Sequence, residues 1–272
     1  MTVSDVAFDW VCTVVRTDAA IVLEPGKQYL VESRLAPLAR EAGQRDVSEY
    51  IDRVRATSDR RARARVVDAL TTNETSWFRD GGPFTAFERT ILPQLIAKRA
   101  ATRSLRIWSA ACSSGQEPYS LAMIMAENPA LQGWNLQILA TDLSPTVLAQ
   151  AQQGVYNQIE MNRGLPASRL VTHFTKEGMR WRANENLRRM ISFRELNLAR
   201  PFPAVGQFDV VFLRNVLIYF SVDTRREILR RVRTVCRPDG FLVLGGAETT
   251  LGVDEKWTRQ AVGTTSIYQP LP

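Results

Sequence analysis

Two acidic residues, Glu117 and Asp142, follow two short apolar runs of the sequence. The runs, 105–110 and 136–141, are rich in β-forming residues, which predicts two buried strands. Small residues precede Glu117, and they let a ligand approach the backbone closely. Asp142 ends the second run, a position from which nucleoside-binding sheets accept hydrogen bonds from ribose hydroxyls. The two residues therefore predict a nucleoside site at the carboxyl edge of a parallel sheet.

The segment before Glu117 does not resemble a phosphate-binding loop. It contains only Gly115, and it lacks both the G-x-G-x-x-G pattern and the lysine of a P-loop. Glu117 at a helix start disfavours a phosphate and suits a cationic group, which points to a nucleoside with a positive, non-phosphorylated tail. S-adenosylmethionine has these properties. Two simpler interpretations stay open: Glu117 could be favoured by the helix N-terminus alone, and Asp142 with Ser144 could be a plain helix cap.

Short apolar runs alternate with helical stretches after about residue 100, which is typical of a parallel α/β sheet. Strands are expected at 105–110, 136–141, Phe208–Leu213 and 241–244, and helices at 118–127, 144–153 and 223–236. A turn at 237–240 should end the last helix. We expect an inserted hairpin whose strands are 179–183 and 190–194.

Residues 1 to about 70 have the helical spacing of apolar residues, most clearly at Val47, Tyr50, Ile51 and Val54. Caps are expected from Ser4 and from Asp46 or Ser48. The region is also rich in arginine: Arg40, Arg45, Arg53, Arg55, Arg60, Arg61, Arg63 and Arg65. A solvated surface and a docking surface for an acidic partner both fit this density of charge.

The composition excludes several classes of protein. It is 45% hydrophobic with a net charge of +7, as in a globular protein with an acidic partner. Its three cysteines, Cys12, Cys112 and Cys236, lie too far apart in sequence for a zinc motif, and no metal site is expected. The single histidine, His173, is expected in a solvated loop or hairpin. No signal peptide or membrane helix is recognised, so we expect a cytoplasmic protein with no membrane insertion.

Four motifs carry a resemblance to a known family. They are LTTNETSWFR (70–79), SGQEPYS (114–120), ATDLS (140–144) and LRNVLIYF (213–220). Their order and approximate spacing resemble those of the chemotaxis receptor methyltransferases of bacteria, the glutamate O-methyltransferases of the CheR type. The resemblance implies a Rossmann-like S-adenosylmethionine-dependent methyltransferase sheet domain, a small all-helical N-terminal domain and an inserted β-hairpin subdomain.

The resemblance also implies domain boundaries. They are a helical domain over 1–70, a linker and cofactor-contacting segment over 71–100, and a methyltransferase domain over 101–272. The hairpin subdomain would occupy about 165–195. Two departures from the family pattern, Gln116 in place of a frequent acid and the variant loop 112–114, remove no group that the chemistry requires.

Residue roles follow from the resemblance motif by motif. The cofactor is S-adenosylmethionine, its product is S-adenosylhomocysteine, and no metal is implied. Glu117 would meet the methionyl amine and Asp142 the ribose. The other cofactor-binding residues would be Asn73, Thr75, Arg79, Asn197, Leu198, Asn215 and Val216. Arg79 and Tyr219 would be catalytic. The substrates would be glutamates on the cytoplasmic helices of chemoreceptors, docked through the basic N-terminal domain.

The implied reaction is chemically consistent with these residues. A glutamate carboxylate, with an ordinary pKa near ~4.3, is already an anion at neutral pH, so attack on a sulfonium methyl needs no general base. Arg79 could orient the carboxylate through its planar fork, and Tyr219 could direct its hydroxyl at the reacting atoms. From residue types alone, a surface ion pair for Arg79 and a packed aromatic for Tyr219 fit as well.

Other functions stay open from the sequence. A methyltransferase acting on RNA or a small molecule is one, although no aromatic residues interrupt the basic run 53–65, so nucleic acid is disfavoured as a partner. A regulatory module that binds S-adenosylmethionine without turnover is another. Some family members add a receptor tail peptide to the hairpin edge. Here the segment 174–193 is short and has no glycine-rich turn, so a structural flap fits at least as well.

Overall fold

A computed structural model describes residues 3–271, which divide into two compact units. One unit contains the residues up to Thr72 together with Tyr219–Thr224, and the other contains Asn73–Ile218 and the residues from Arg225 onward. Every helix within 3–271 is too short or too polar to cross a bilayer.

The first unit is a bundle of four helices: α1 (Asp5–Ala19), α2 (Gln28–Glu41), α3 (Val47–Thr57) and α4 (Arg60–Leu70). Ser4 caps α1 by accepting the Ala7 N–H, and Asp46 caps α3 by accepting the Glu49 N–H at 2.9 Å. The apolar positions predicted from 47 to 54 are all buried in the bundle core. The helical pattern and both caps are therefore confirmed, with Asp46 rather than Ser48 as the cap of α3.

A segment from late in the chain completes this helical unit. Ile21 forms an isolated antiparallel bridge with Phe220, and the Val22 N–H donates to the Tyr219 carbonyl at 3.1 Å. Phe220 is buried. The unit is thus built from two stretches that are far apart in sequence.

The second unit is organised around a seven-stranded sheet with strand order β6-β2-β1-β7-β8-β10-β9. Its main strands are β1 (Ser104–Ala110), β2 (Asn135–Asp142), β6 (Ile191–Glu195), β7 (Phe208–Leu213), β8 (Cys236–Leu244), β9 (Trp257–Val262) and β10 (Thr265–Pro270). The first five in the sheet order are parallel, and β10 and β9 add antiparallel pairs at one edge. This order confirms the expected parallel α/β sheet of Rossmann-like type. In sheets of this kind, ligands bind at the carboxyl ends of the strands.

Helices and a small subdomain surround this sheet. The helices are α5 (Gly82–Ala86), α6 (Leu92–Lys98), α7 (Gln116–Glu127), α8 (Pro145–Gln153), α9 (Gln158–Asn162), α10 (Ala167–His173), α11 (Glu185–Arg188) and α12 (Val222–Val235). A π-helical turn, Phe87–Ile91, joins α5 to α6, and its Phe87 and Ile91 are buried in the sheet core. The segment 71–100 thus contributes core side chains to the sheet unit.

The predicted hairpin pairing is wrong. Antiparallel pairing joins β4 (Phe174–Glu177) to β5 (Arg180–Ala183), and β3 (Val155–Asn157) pairs with the other side of β5. The predicted partner strand, 190–194, is instead β6, which joins the main sheet beside β2. Alternation of apolar and polar residues marks a strand but not its partner, because partners far apart in sequence leave no local signal.

Two smaller expectations also need correction. The segment 237–240 lies inside β8, at a register irregularity against β7, so it does not separate a helix from a strand. His173 is 4% exposed at the end of α10, and its Nε2 lies 2.8 Å from a Glu127 carboxylate oxygen. It is a paired, buried residue and not a solvated one.

Candidate functional site

Asp142 is the last residue of β2 and is held at the carboxyl edge of the sheet. One of its carboxylate oxygens accepts the Ser113 N–H at 2.8 Å, and the other accepts the Ser144 N–H at 3.0 Å. The residue is 8% exposed. Ser144 is itself the cap of α8, so the helix-cap interpretation holds for Ser144. A carboxylate oxygen can accept more than one hydrogen bond, and Asp142 lies at the sheet edge where nucleoside-binding sheets hold a ribose.

The loop that follows β1 has an unusual backbone. Ala111 and Ser113 have φ values of 61° and 51°, the left-handed region that side chains disfavour. Gly115 follows with φ 95°, and an added Cβ there would lie 2.9 Å from both Ala151 and the Tyr156 hydroxyl. Strain of this kind persists only where the surroundings fix it, and it clusters at ligand sites.

Ser113 connects this loop to a second segment of the site. Its hydroxyl donates to the Asn73 carbonyl at 2.7 Å, while its N–H binds Asp142. Asn73 and Asp142 are therefore joined through one residue, although they are far apart in sequence.

Glu117 lies in the first turn of α7 and is 9% exposed. Its carboxylate accepts the Ser109 hydroxyl at 2.8 Å and the Arg214 Nη1 at 2.9 Å. Burial raises the pKa of Glu117; Arg214 and Ser109 oppose the rise, and the carboxylate of Glu248 adds to it. The carboxylate is thus held in place by one hydroxyl and one guanidinium.

Arg214 is the first site residue that the sequence analysis missed. Its side chain is 1% exposed, and its Nη2 donates to the Arg79 carbonyl at 2.8 Å and to the Asp80 carboxylate at 2.7 Å. With its bond to Glu117, one guanidinium joins the start of α7 to the turn at Arg79. The Arg214 Nε is buried with no hydrogen-bond partner among the described residues. The sequence did contain a signal for Arg214 as a site residue, because Arg214 directly follows a buried strand and lies within the motif 213–220.

Arg79 and Thr75 lie on the segment that Arg214 holds. Both are half-buried. The Arg79 Nη1 donates to the Glu74 carbonyl at 2.8 Å, which fixes one side of the guanidinium. A planar guanidinium of this kind can bind a carboxylate with two parallel hydrogen bonds.

Two further predicted pairs follow β6 and β7, the neighbours of β2 and β1. The Leu196 N–H donates to the Asp142 carbonyl at 2.9 Å, and the Asn197 side chain accepts the Ala199 N–H at 2.9 Å. Leu198 is buried. Asn215 and Val216 follow β7, and both are half-buried.

Glu248 is the second residue that the sequence analysis missed. Its carboxylate accepts four backbone N–H groups, from Asn215, Val216, Leu217 and Gly245, at 2.7 to 2.9 Å. The sequence contained a signal for Glu248 as well. It is an acidic residue shortly after the apolar run 241–244, just as Glu117 and Asp142 follow the two earlier runs.

Nine of the ten predicted site residues belong to the sheet unit, and Tyr219 is grouped with the helical unit. Tyr219 is the last residue of a short 3₁₀ turn, Leu217–Tyr219, and is half-buried.

Comparison with known proteins identifies the family. Residues 73–267 match the family described as "CheR methyltransferase, SAM binding domain", and residues 7–71 match "CheR methyltransferase, all-alpha domain". The chain belongs to the CheR methyltransferase family. It is 43% identical over 254 residues to chemotaxis protein methyltransferase 1 of Pseudomonas aeruginosa, with 92% of each chain covered.

Other relatives of this CheR methyltransferase match along nearly its whole length. Chemotaxis protein methyltransferase 1 of Vibrio cholerae is 38% identical over 274 residues, which cover 99% of this chain and 98% of the relative. The chemotaxis protein methyltransferase of Escherichia coli is 32% identical over 266 residues, which cover 95% and 89%. These matches confirm the resemblance that the four motifs indicated, and the chain is an S-adenosylmethionine-dependent methyltransferase.

The donor set of the site fits S-adenosylmethionine. Asp142 offers an acceptor for ribose hydroxyls, Glu117 offers a carboxylate for an ammonium, and the glycine-poor loop 111–115 offers no pyrophosphate cradle. The orphaned Arg214 Nε is a buried donor in the same cluster. Within residues 3–271, no group of three or more His, Cys, Asp or Glu side chains is arranged to hold a metal ion.

Proposed function

We propose that this methyltransferase transfers the methyl group of S-adenosylmethionine to glutamate side chains of bacterial chemoreceptors and forms glutamyl methyl esters. The observation that supports this best is a pair of buried carboxylates, Glu117 in the first turn of the helix that follows β1 and Asp142 at the end of the adjacent parallel strand β2, around a loop without a phosphate-binding pattern. The curated relatives named above are chemotaxis protein methyltransferases.

In this proposal, the cofactor is held by residues from several strand ends. Glu117 accepts the methionyl ammonium, and Asp142 accepts the ribose hydroxyls. Asn73, Thr75 and Arg79 line one side. Asn197 and Leu198 after β6, and Asn215 and Val216 after β7, surround the adenosine. No metal takes part.

Methyl transfer requires accurate placement of the reacting atoms more than it requires a strong acid or base. S-adenosylmethionine supplies a methyl group on a sulfonium, which is a good electrophile. The substrate glutamate is anionic at neutral pH, so the protein must align its oxygen in line with the methyl group and remove water from it.

Arg79 and Tyr219 carry this alignment in our proposal. The Arg79 guanidinium is already anchored at Nη1 by the Glu74 carbonyl, which leaves its other side to bind the substrate carboxylate. The Tyr219 hydroxyl donates toward the reacting atoms. Neither residue transfers a proton in this mechanism.

The experiment that tests the function uses labelled methyl groups. The full chain is incubated with S-adenosyl-[methyl-³H]methionine and chemoreceptor cytoplasmic fragments, and protein-bound label is treated with base. Release as volatile methanol identifies a methyl ester and is the expected result. Label that enters RNA instead identifies the nucleic-acid alternative, and tight cofactor binding without any transfer identifies the regulatory alternative.

The helical unit supplies a basic surface for receptor docking in this proposal, which also places the protein in the cytoplasm, where the receptor helices lie. Three arginines of the run already have acidic partners: Arg63 with Asp18, Arg65 with Glu41 and Arg45 with Glu49. Arg55, Arg60 and Arg61 are exposed, and within residues 3–271 they have no ionic partner. Arg40 and Arg53 are also exposed and outside the three ion pairs, so these five arginines, rather than the whole run, are the charges available to a receptor.

Reversing Arg55, Arg60 and Arg61 to Glu is expected to raise the KM for receptor fragments several-fold at low salt. Complementary charges speed encounter, and exposed charges are screened beyond ~8–10 Å at physiological salt, so the difference from the parent should shrink as salt rises. Steady-state kinetics at two ionic strengths measure this. The matched control reverses three exposed basic residues of the sheet unit, Arg180, Arg194 and Lys256, and equal KM values for the two triple variants would remove the docking assignment.

The affinity for S-adenosylhomocysteine is expected to fall as the pH is lowered through the pKa of Glu117. Burial raises that pKa, so the loss begins at a higher pH than for an ordinary glutamate, and it approaches roughly tenfold per pH unit once Glu117 is mostly protonated. Calorimetry from about pH 8 to about pH 5 measures this. Glu117→Gln should bind weakly with a flatter profile, whereas the exposed-loop control Glu255→Gln should keep the parent profile.

A further inference from the structure

The loop after β7, residues 214–217 (the β7 loop), has no regular structure to hold it before the 3₁₀ turn begins at Leu217, yet it carries Arg214, Asn215 and Val216. We infer that Glu248 is the positioning residue of this loop and so sets the affinity of the site for its cofactor. The inference rests on the proposed function in taking the β7 loop as part of the cofactor site.

The carboxylate of Glu248 accepts three of the four backbone N–H groups of the β7 loop. One oxygen accepts the Val216 N–H at 2.9 Å and the Leu217 N–H at 2.7 Å. The other accepts the Asn215 N–H at 2.7 Å and the Gly245 N–H at 2.8 Å. Since Glu248 is only 9% exposed, water cannot readily replace these bonds.

The conformation of the loop depends on such bonds. Asn215 has a φ of 56°, a left-handed conformation that a non-glycine residue adopts at a cost. Three consecutive N–H groups that converge on one anion hold it there. Arg214 directly precedes Asn215 and reaches Glu117 and the Arg79 carbonyl, so a shift of the loop moves the guanidinium that supports the ammonium site.

The side of Gly245 where a Cβ would stand is occupied by the Glu248 carboxylate and by Asn215. A Cβ added at Gly245 would lie 2.7 Å from a Glu248 carboxylate oxygen and 2.9 Å from both the backbone nitrogen and the side-chain nitrogen of Asn215. At Gly246, the next residue, an added Cβ would meet nothing within 4 Å. A change at Gly245 is therefore a second way to disturb the bonds of Glu248, besides a change of Glu248 itself, and the same change at Gly246 is its matched control.

The test uses four variants of the full chain. Glu248→Gln replaces one acceptor oxygen with an NH₂ group that faces two N–H donors. Gly245→Ala pushes on the intact carboxylate. The controls are Gly246→Ala and Glu255→Gln, whose carboxylate caps the neighbouring exposed Gly252 N–H. The probe is S-adenosylhomocysteine in calorimetry, with melting temperatures, KM and kcat, and the amide proton shifts of residues 215–217.

Glu248→Gln is expected to weaken S-adenosylhomocysteine binding roughly tenfold or more and to raise the KM for S-adenosylmethionine more than it lowers kcat. The Val216 and Leu217 amide protons should move upfield, Gly245→Ala should act in the same direction, and both controls should match the parent. Parental affinity and KM in Glu248→Gln would overturn the inference. If that variant does not fold, parental affinity in Gly245→Ala overturns it. Failure of the parent itself to bind S-adenosylhomocysteine would instead refute the proposed function.

Discussion

Replacing Arg79 with Ala is expected to lower kcat at saturating substrates by roughly 100-fold or more, because a carboxylate that loses its orienting fork is displaced from the line of attack. The structure supports a large effect. The Glu74 carbonyl already anchors the Arg79 guanidinium, so little further ordering of this side chain is needed when the substrate binds. Single-turnover methyl transfer to receptor fragments measures the chemical step.

Arg79→Lys separates charge from geometry. It keeps the positive charge but loses the planar fork, so it should recover only a small part of the rate. Tyr219→Phe should lower kcat less than Arg79→Ala and leave the affinity for S-adenosylhomocysteine unchanged. A parental rate in Arg79→Lys would mean that charge alone is needed, and a parental rate in Arg79→Ala would remove Arg79 from the reaction.

Replacing Arg214 with Leu is expected to lower the free energy of unfolding by about 3–5 kcal/mol, because it leaves a buried carboxylate without its counter-charge. Arg214 is 1% exposed at its side chain, and it bonds Glu117, Asp80 and the Arg79 carbonyl. Urea unfolding measures the loss. Cofactor binding should weaken as well, since the start of α7 and the Arg79 segment lose their shared contact.

A double variant identifies the cause of this loss. Arg214→Leu combined with Glu117→Gln removes the uncompensated charge, so it should be more stable than the sum of the single changes implies. Arg230→Leu is the matched control: it breaks an exposed pair with Glu227 and should leave stability close to that of the parent. If the changes in the free energy of unfolding are strictly additive, the unpaired charge of Glu117 is not the cause of the loss.

The sequence was sufficient for the architecture of the sheet because its parallel strands are apolar on both faces. Phe208–Leu213 is buried at every position, and its bounds were predicted correctly. The predicted ends of β1 and β2 brought Glu117 and Asp142 to the same edge, because parallel neighbours must end together. The helix patterns were equally local, and Ser4 and Ser144 cap the helices they were expected to cap or start.

The sequence could not reveal features that depend on contacts between residues far apart in the chain. Ile191–Glu195 has the composition of any short strand, and only its partner decides that it extends the main sheet. Arg214 and Glu248 were missed for a similar reason. Their roles come from backbone groups and side chains that approach them only after the sheet has formed, such as the Arg79 carbonyl and the Leu217 N–H.

The antiparallel bridge between Ile21 and Phe220 has a consequence for synthesis on the ribosome. Phe220 is translated about 200 residues after Ile21, which takes roughly 10–40 s at ordinary elongation rates. During that interval the first four helices can form, but the surface that Phe220 covers stays open in the nascent chain. The helical unit is therefore finished only after strand β7 has been made, and a gene fragment that ends at Thr72 should yield a less stable, more aggregation-prone product than the same helices within the whole chain.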